Sequence, residues 1–118
     1  LSGYLRLAES LYIYGDEFAG AWNFGPNDED VKPVSVIVEY MAQRWGDGAS
    51  WVHDKSTQPH EAQFLKLDIS KARELLKWTP KWTLYKGLDL IVDWQKDWSC
   101  GNDVKALTLK QINQYELS

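Results

Sequence analysis

The alternation of apolar and polar positions divides the chain into helical stripes separated by turn-forming residues. In residues 1–14, Tyr4, Leu7, Ala8, Leu11 and Tyr12 recur at helical spacing while Arg6, Glu9 and Ser10 fall off the stripe. That spacing predicts a helix, closed by Gly15 in a left-handed conformation. A second stripe of Val34, Ile37, Val38, Met41 and Trp45 predicts a helix that starts near Ser35 and stops at the Gly46-Asp47-Gly48 turn. Residues 20–25 (Gly-Ala-Trp-Asn-Phe-Gly) are short, aromatic and bounded by glycine, which suits a buried strand, and residues 26–33 read as a loop. Residues 50–53 and 62–67 suit two further short strands, with a polar loop at 55–59 between them.

Residues 68–98 carry the most defined pattern. Asp68 can accept from free amides at the start of a helix bearing Ile69, Ala72, Leu75 and Leu76. That helix must end near Trp78, because the residue before Pro80 is driven out of the α region and Pro80 has no amide to donate. Thr83 then caps a longer helix with Leu84, Leu88, Ile91, Val92 and Trp98 on one face, and Trp78 and Trp82 flank the elbow and are expected to set its angle. This reads as a helical hairpin. After Gly101, Asn102 and Asp103 open a helical turn with Val104 and Leu107, and Thr108 is expected to cap a last helix with Leu109, Ile112 and Tyr115 on one side. About five helices with short strands make a helix-rich α/β fold class and a single domain.

Composition narrows the function classes. A net charge of −4 with scattered Lys and Arg argues against a nucleic-acid surface. No stretch approaches the roughly 20 apolar residues of a membrane span. Cys100 is the only cysteine, which excludes an internal disulfide and fits a cytoplasmic location; its place after a long helix suits a structural role. Seven tryptophans are a large load for 118 residues. Core packing is the first account of them, ahead of stacking on a carbohydrate. That load, together with a start at Leu1, suggests a piece of a larger protein, some of whose aromatics pack against chain found elsewhere.

Candidate chemistry is sparse. Asn27-Asp28-Glu29-Asp30 clusters carboxylates, but a calcium loop needs a turn glycine inside the run and a distal glutamate. The run reads as a solvated loop, with Asn27 at a strand end where small ligands gather. His53, His60 and Glu61 lack the close spacing of a zinc site, so no metal is expected. His60 and Glu61, in a loop leading into a strand, make better sense as hydrogen-bonding groups for a polar ligand. No Gly-rich phosphate fingerprint, Gly-Lys-Ser/Thr loop, Tyr-x-x-x-Lys pair or Gly-x-Ser-x-Gly elbow is present. Catalytic residues are therefore assigned to none of these positions, and no cofactor site is expected in this chain.

The run Leu67-Asp-Ile-Ser-Lys-Ala-Arg-Glu-Leu-Leu-Lys-Trp-Thr-Pro80 resembles a signature of extended short-chain dehydrogenase/reductase enzymes acting on sugar nucleotides. The signature is an Asp, two residues, Lys-Ala, three residues, then Leu-Gly-Trp-x-Pro. Lys77 stands where glycine is common, and Gln95 where an aromatic often follows Trp94. Leu1-Ser-Gly-Tyr-Leu-Arg-Leu-Ala-Glu9, Gly20-Ala-Trp-Asn-Phe-Gly-Pro26, His60-Glu-Ala-x-x-Leu-Lys-Leu-Asp68 and Leu107-Thr-Leu-x-Gln-Ile112 are similar to the CDP-glucose 4,6-dehydratase subgroup. The resemblance implies a C-terminal, substrate-binding part of an enzyme whose N-terminal Rossmann domain binds NAD. It implies dehydration of CDP-glucose to CDP-4-keto-6-deoxyglucose for dideoxysugars of surface polysaccharides. By position it implicates His60 and Glu61, and more weakly Asn27, in substrate binding. Expected partners are CDP-glucose, the Rossmann domain and a second copy, with no nucleic acid and no membrane. The alternatives are another sugar-nucleotide epimerase or dehydratase, or a non-enzymatic helical interaction module.

Overall fold

Five α-helices form among residues 1–54, 56 and 67–118, the residues described by the computed structural model. They are α1 (Ser2–Tyr14), α2 (Val34–Trp45), α3 (Ser70–Leu75), α4 (Leu84–Ser99) and α5 (Val104–Glu116), with single 3-10 turns at Gly15–Phe18 and Asp28–Asp30. No strand forms among the described residues. Residues 20–25 and 50–53, expected as strands, belong to no sheet, since a strand exists only where a second one supplies its hydrogen-bond partners. Most of the polar loop at 55–59 and of the third expected strand at 62–67 lies outside the described residues. The chain divides into two units, Leu1–Asp28 with Glu61–Pro80 and Glu29–His60 with Lys81–Ser118. The expected hairpin is therefore split at Pro80, with α3 in the first unit and α4 in the second.

The first unit is organised around α3. Ile69, Ala72 and Leu76 are buried, whereas Leu75, expected on the same face, is 58% exposed. Asp68 accepts from the Ser70 amide at 2.8 Å, as its position before the helix predicts. At the other end Lys77 adopts a left-handed φ of 52°, and the amides of Leu76 and Trp78 both donate to the Ala72 carbonyl at 3.1 Å. The turn satisfies a helix-terminal carbonyl at the cost of about 1 kcal/mol for a left-handed non-glycine residue. It delivers Trp78 onto the Phe24 ring, edge-on at 5.1 Å, with its indole N–H donating to Ser2 Oγ at 3.0 Å. Phe24 in turn meets Tyr4 edge-on at 5.2 Å and lies so close over Gly3 that a methyl group there would collide with its ring. Residues 20–25 are thus held by aromatic packing instead of a ladder.

In the second unit α2 and α4 run in the same direction, joined by residues that ascend together. Tyr40 packs on Tyr85 at 4.6 Å and donates to Asp89 Oδ1 at 2.8 Å. One turn on, Arg44 donates from Nε to Asp89 at 3.0 Å and from Nη2 to Asp93 at 2.6 Å. Leu88 and Val92 are the buried apolar residues among those described in this unit, whereas Ile91 and Trp98, expected on their face, are 56% and 58% exposed. Thr83 caps α4 by accepting from the Lys86 amide at 3.3 Å. α5 lies antiparallel to α4. Trp94 donates to Thr108 Oγ1 at 2.9 Å, Gln111 to the Leu90 carbonyl at 3.0 Å, and Trp82 meets Tyr115 edge-on at 4.8 Å.

Two expectations about this region are corrected. The cap of α5 is Asp103, which accepts from the Lys105 and Ala106 amides. Thr108 sits inside the helix, where its hydroxyl bonds back to the Val104 carbonyl at 2.7 Å, an alternative to capping open to any helical threonine. The packed side of α5 carries Val104, Leu107, Gln111 and Tyr115, and Leu109 and Ile112 are largely exposed.

Candidate functional site

Of the three residues the sequence singles out for substrate binding, Asn27 is placed and His60 and Glu61 lie outside the described residues. Asn27 follows the aromatic segment at 20–25 in the first unit and is half-buried. Its Oδ1 accepts from Arg73 Nη2 of α3 at 3.4 Å, at the long end of hydrogen-bond range. Two residues earlier on α3, Lys71 donates to the Ala21 carbonyl at 3.0 Å and places its ammonium 4.1 Å from the centre of the Trp22 ring. Trp22 is fixed in turn by its indole N–H on the Phe18 carbonyl at 2.9 Å and by stacking on Phe18 at 6.0 Å.

The result is a polar edge with two cations, Lys71 and Arg73, facing the segment that ends at Asn27. Lys and Arg donors suit phosphate oxygens, and an amide can donate to or accept from a hydroxyl. Sequence reasoning named Asn27 and neither cation, since only the fold brings Lys71 and Arg73 beside the 20–27 segment. The signal was their i, i+2 placement beside the buried Ala72, which leaves them flanking the packed face.

The second unit has a shallow cleft of about 410 Å³ lined by Ser35, Val36, Glu39, Tyr40, Gln43, Trp51 and Tyr85. Its carboxylate is already engaged. Glu39 accepts from Trp51 Nε1 and from Gln43 Nε2, each at 2.8 Å, and these bonds, Trp51 first, hold it below the ordinary carboxylate value. On the same wall the hydrogen bond to Asp89, aided by partial desolvation, raises the Tyr40 phenol. The cleft holds no nucleophile with a base beside it. Among the described residues no three metal-ligating side chains come together, and no helix is long and apolar enough to cross a membrane. Cys100 is exposed at the end of α4.

No protein-family model matches the chain. A curated relative settles the resemblance: CDP-glucose 4,6-dehydratase of Salmonella typhimurium is 48% identical over 115 residues, or 98% of this chain. The chain is similar to part of a CDP-glucose 4,6-dehydratase. It spans 32% of that relative's length, about one third. The match takes in the Lys-Ala and Trp-x-Pro signature together with the α1, aromatic and α5 segments, and so bears out the subgroup named from those residues.

Proposed function

We propose that this chain is the C-terminal, substrate-binding portion of an NAD-dependent CDP-glucose 4,6-dehydratase. The observation that carries the reading is 48% identity sustained across 98% of the chain to an enzyme of that name. The whole protein dehydrates CDP-glucose to CDP-4-keto-6-deoxyglucose, a precursor of dideoxysugars for surface polysaccharide, in the cytoplasm. The chain has no Gly-rich loop opening a helix and no Tyr-x-x-x-Lys pair, so its residues do not fit a nicotinamide dinucleotide. The cofactor and the proton-transfer groups belong to the remaining two thirds, and the chain by itself is inactive.

Within this reading the polar edge of the first unit is one wall of the sugar-nucleotide cleft. His60 donates to a phosphate oxygen and Glu61 accepts from ribose hydroxyls, roles that rest on their place ahead of the Asp68 signature. Lys71 and Arg73, beside Asn27, add positive charge suited to the diphosphate despite the chain's net charge of −4. Turnover of CDP-, UDP- and dTDP-glucose by the full-length protein tests the assignment, read as loss of one water from the sugar nucleotide by mass spectrometry. Loss from the CDP sugar is expected, and turnover of the dTDP sugar alone would refute the reading.

A further inference from the structure

The two cations of α3 grip the segment opposite them at two points. Lys71 holds its start, on the Ala21 carbonyl at 3.0 Å and over the Trp22 ring at 4.1 Å. Arg73 holds its end, with Nη2 3.4 Å from Asn27 Oδ1. Ala72 between them is fully buried, so both side chains project from an anchored part of the helix. A guanidinium carries donors only, whereas a carboxamide has an oxygen that accepts and a nitrogen that donates. The atom of Asn27 that faces Arg73 must therefore be its oxygen, which fixes the flip of the amide. Among the described residues this is the one hydrogen bond of the Asn27 side chain, so Nδ2 is the group left to meet a ligand.

We infer that Asn27 binds the sugar nucleotide as a donor, through Nδ2 to a diphosphate oxygen, and that Arg73 is the positioning residue that fixes this polarity. The inference deepens the reading of the chain as part of a CDP-glucose 4,6-dehydratase and rests on it. The Lys71 ammonium, the Arg73 guanidinium and Nδ2 then all present donors along this edge, and two of the three groups are cationic. A donor-only edge suits an oxygen that carries negative charge and no proton. A sugar hydroxyl could give its proton to a freely turning amide, but here the guanidinium occupies the amide oxygen. Without Arg73 the amide turns over and samples other rotamers, so the ligand must order it on binding and affinity falls.

Calorimetric titration of CDP into the full-length protein and its variants tests this, with steady-state turnover of CDP-glucose measured on the same samples. Asn27 is half-buried and Arg73 exposed, so substitution leaves the core untouched. Asn27→Ala should weaken CDP about tenfold and raise KM alike, with kcat within about twofold of wild type. Asn27→Asp, which turns the donor into an acceptor, should weaken CDP at least as much. Wild-type affinity in either variant would overturn the proposal. Arg73→Met should weaken CDP about three- to fivefold, and Arg73→Lys, again donor-only, should stay within about twofold of wild type. The double variant Asn27→Ala/Arg73→Met should match Asn27→Ala, because Arg73 acts through Asn27. Losses that multiply in the double variant would show Arg73 acting on the ligand directly and would overturn its positioning role. Cytidine, which has no phosphate, should bind every variant as it binds the wild type. An equal loss for cytidine would move the partner onto the nucleoside and overturn the diphosphate assignment. Wild-type protein that binds CDP without dehydrating CDP-glucose would refute the functional reading alone, since CDP binding by the variants still decides the proposal.

Discussion

The two units are held together by different means. Each is assembled from two segments distant in sequence; the first buries Ile69, Ala72 and Leu76 and adds an aromatic chain of Tyr4, Phe24 and Trp78. The second, among its described apolar residues, buries Leu88 and Val92 and ties α2 to α4 through Tyr40, Arg44, Asp89 and Asp93. Its ion pairs are more than one-third exposed on the arginine side, so each contributes at most about 1 kcal/mol. The lesson is that the first unit draws its stability from packing, whereas the second draws its geometry from polar contacts and little stability from burial.

The largest expected effects come from the two cores. Leu76→Ala in the first unit and Leu88→Ala in the second should each cost about 2–4 kcal/mol, read by urea unfolding. Amide exchange after each substitution should show opening confined to the substituted unit. Simultaneous opening of both units after either change would break the comparison, since it would make the chain one cooperative body.

A smaller effect sharpens the first unit's side. Lys77 holds a left-handed φ of 52° at the position where related signatures carry glycine. Lys77→Gly should therefore stabilise the chain by about 1 kcal/mol, visible as a raised unfolding midpoint. A neutral or destabilising result would show that the lysine side chain offsets its backbone strain.

The smallest effects are the pH responses of the second unit. The folded Glu39 titrates below its unfolded value, so its contribution is complete above the unfolded value and is lost as pH falls through the folded one. Tyr40 is raised, so its bond to Asp89 contributes below the ordinary phenol value and is lost as pH rises through the folded one. Amide exchange around Trp51 should rise at the acid limit and around Tyr40 at the alkaline limit. Equal changes in both units would remove the polar character assigned to the second.

What could be read from the sequence was local. Gly15, Asp68 and Thr83 act as the end signals they resemble, since a cap or a left-handed turn is decided by a few neighbouring residues. The apolar stripe of α1 was also legible, but its direction was not. Tyr4, Ala8, Leu11 and Tyr12 read as core and stand exposed, while Gly3 and Ser10 are buried, because periodicity reports that a face needs a partner without saying where the partner is. The same limit explains residues 20–25, whose short, aromatic, Gly-bounded run suits a strand but whose packing comes from Trp78 and Tyr4 instead of a neighbouring ladder. At the candidate site Asn27 was named from its place after that segment. Lys71 and Arg73 were not, since only the fold brings α3 against it.

The central claim is that this chain supplies one wall of a sugar-nucleotide cleft whose remainder lies in the rest of the enzyme. Calorimetric titration of CDP-glucose into the chain alone and into the full-length protein tests it most directly. The account predicts saturable binding by the full-length protein and weak or undetectable heat with the chain. Low-micromolar binding by the chain alone would contradict it.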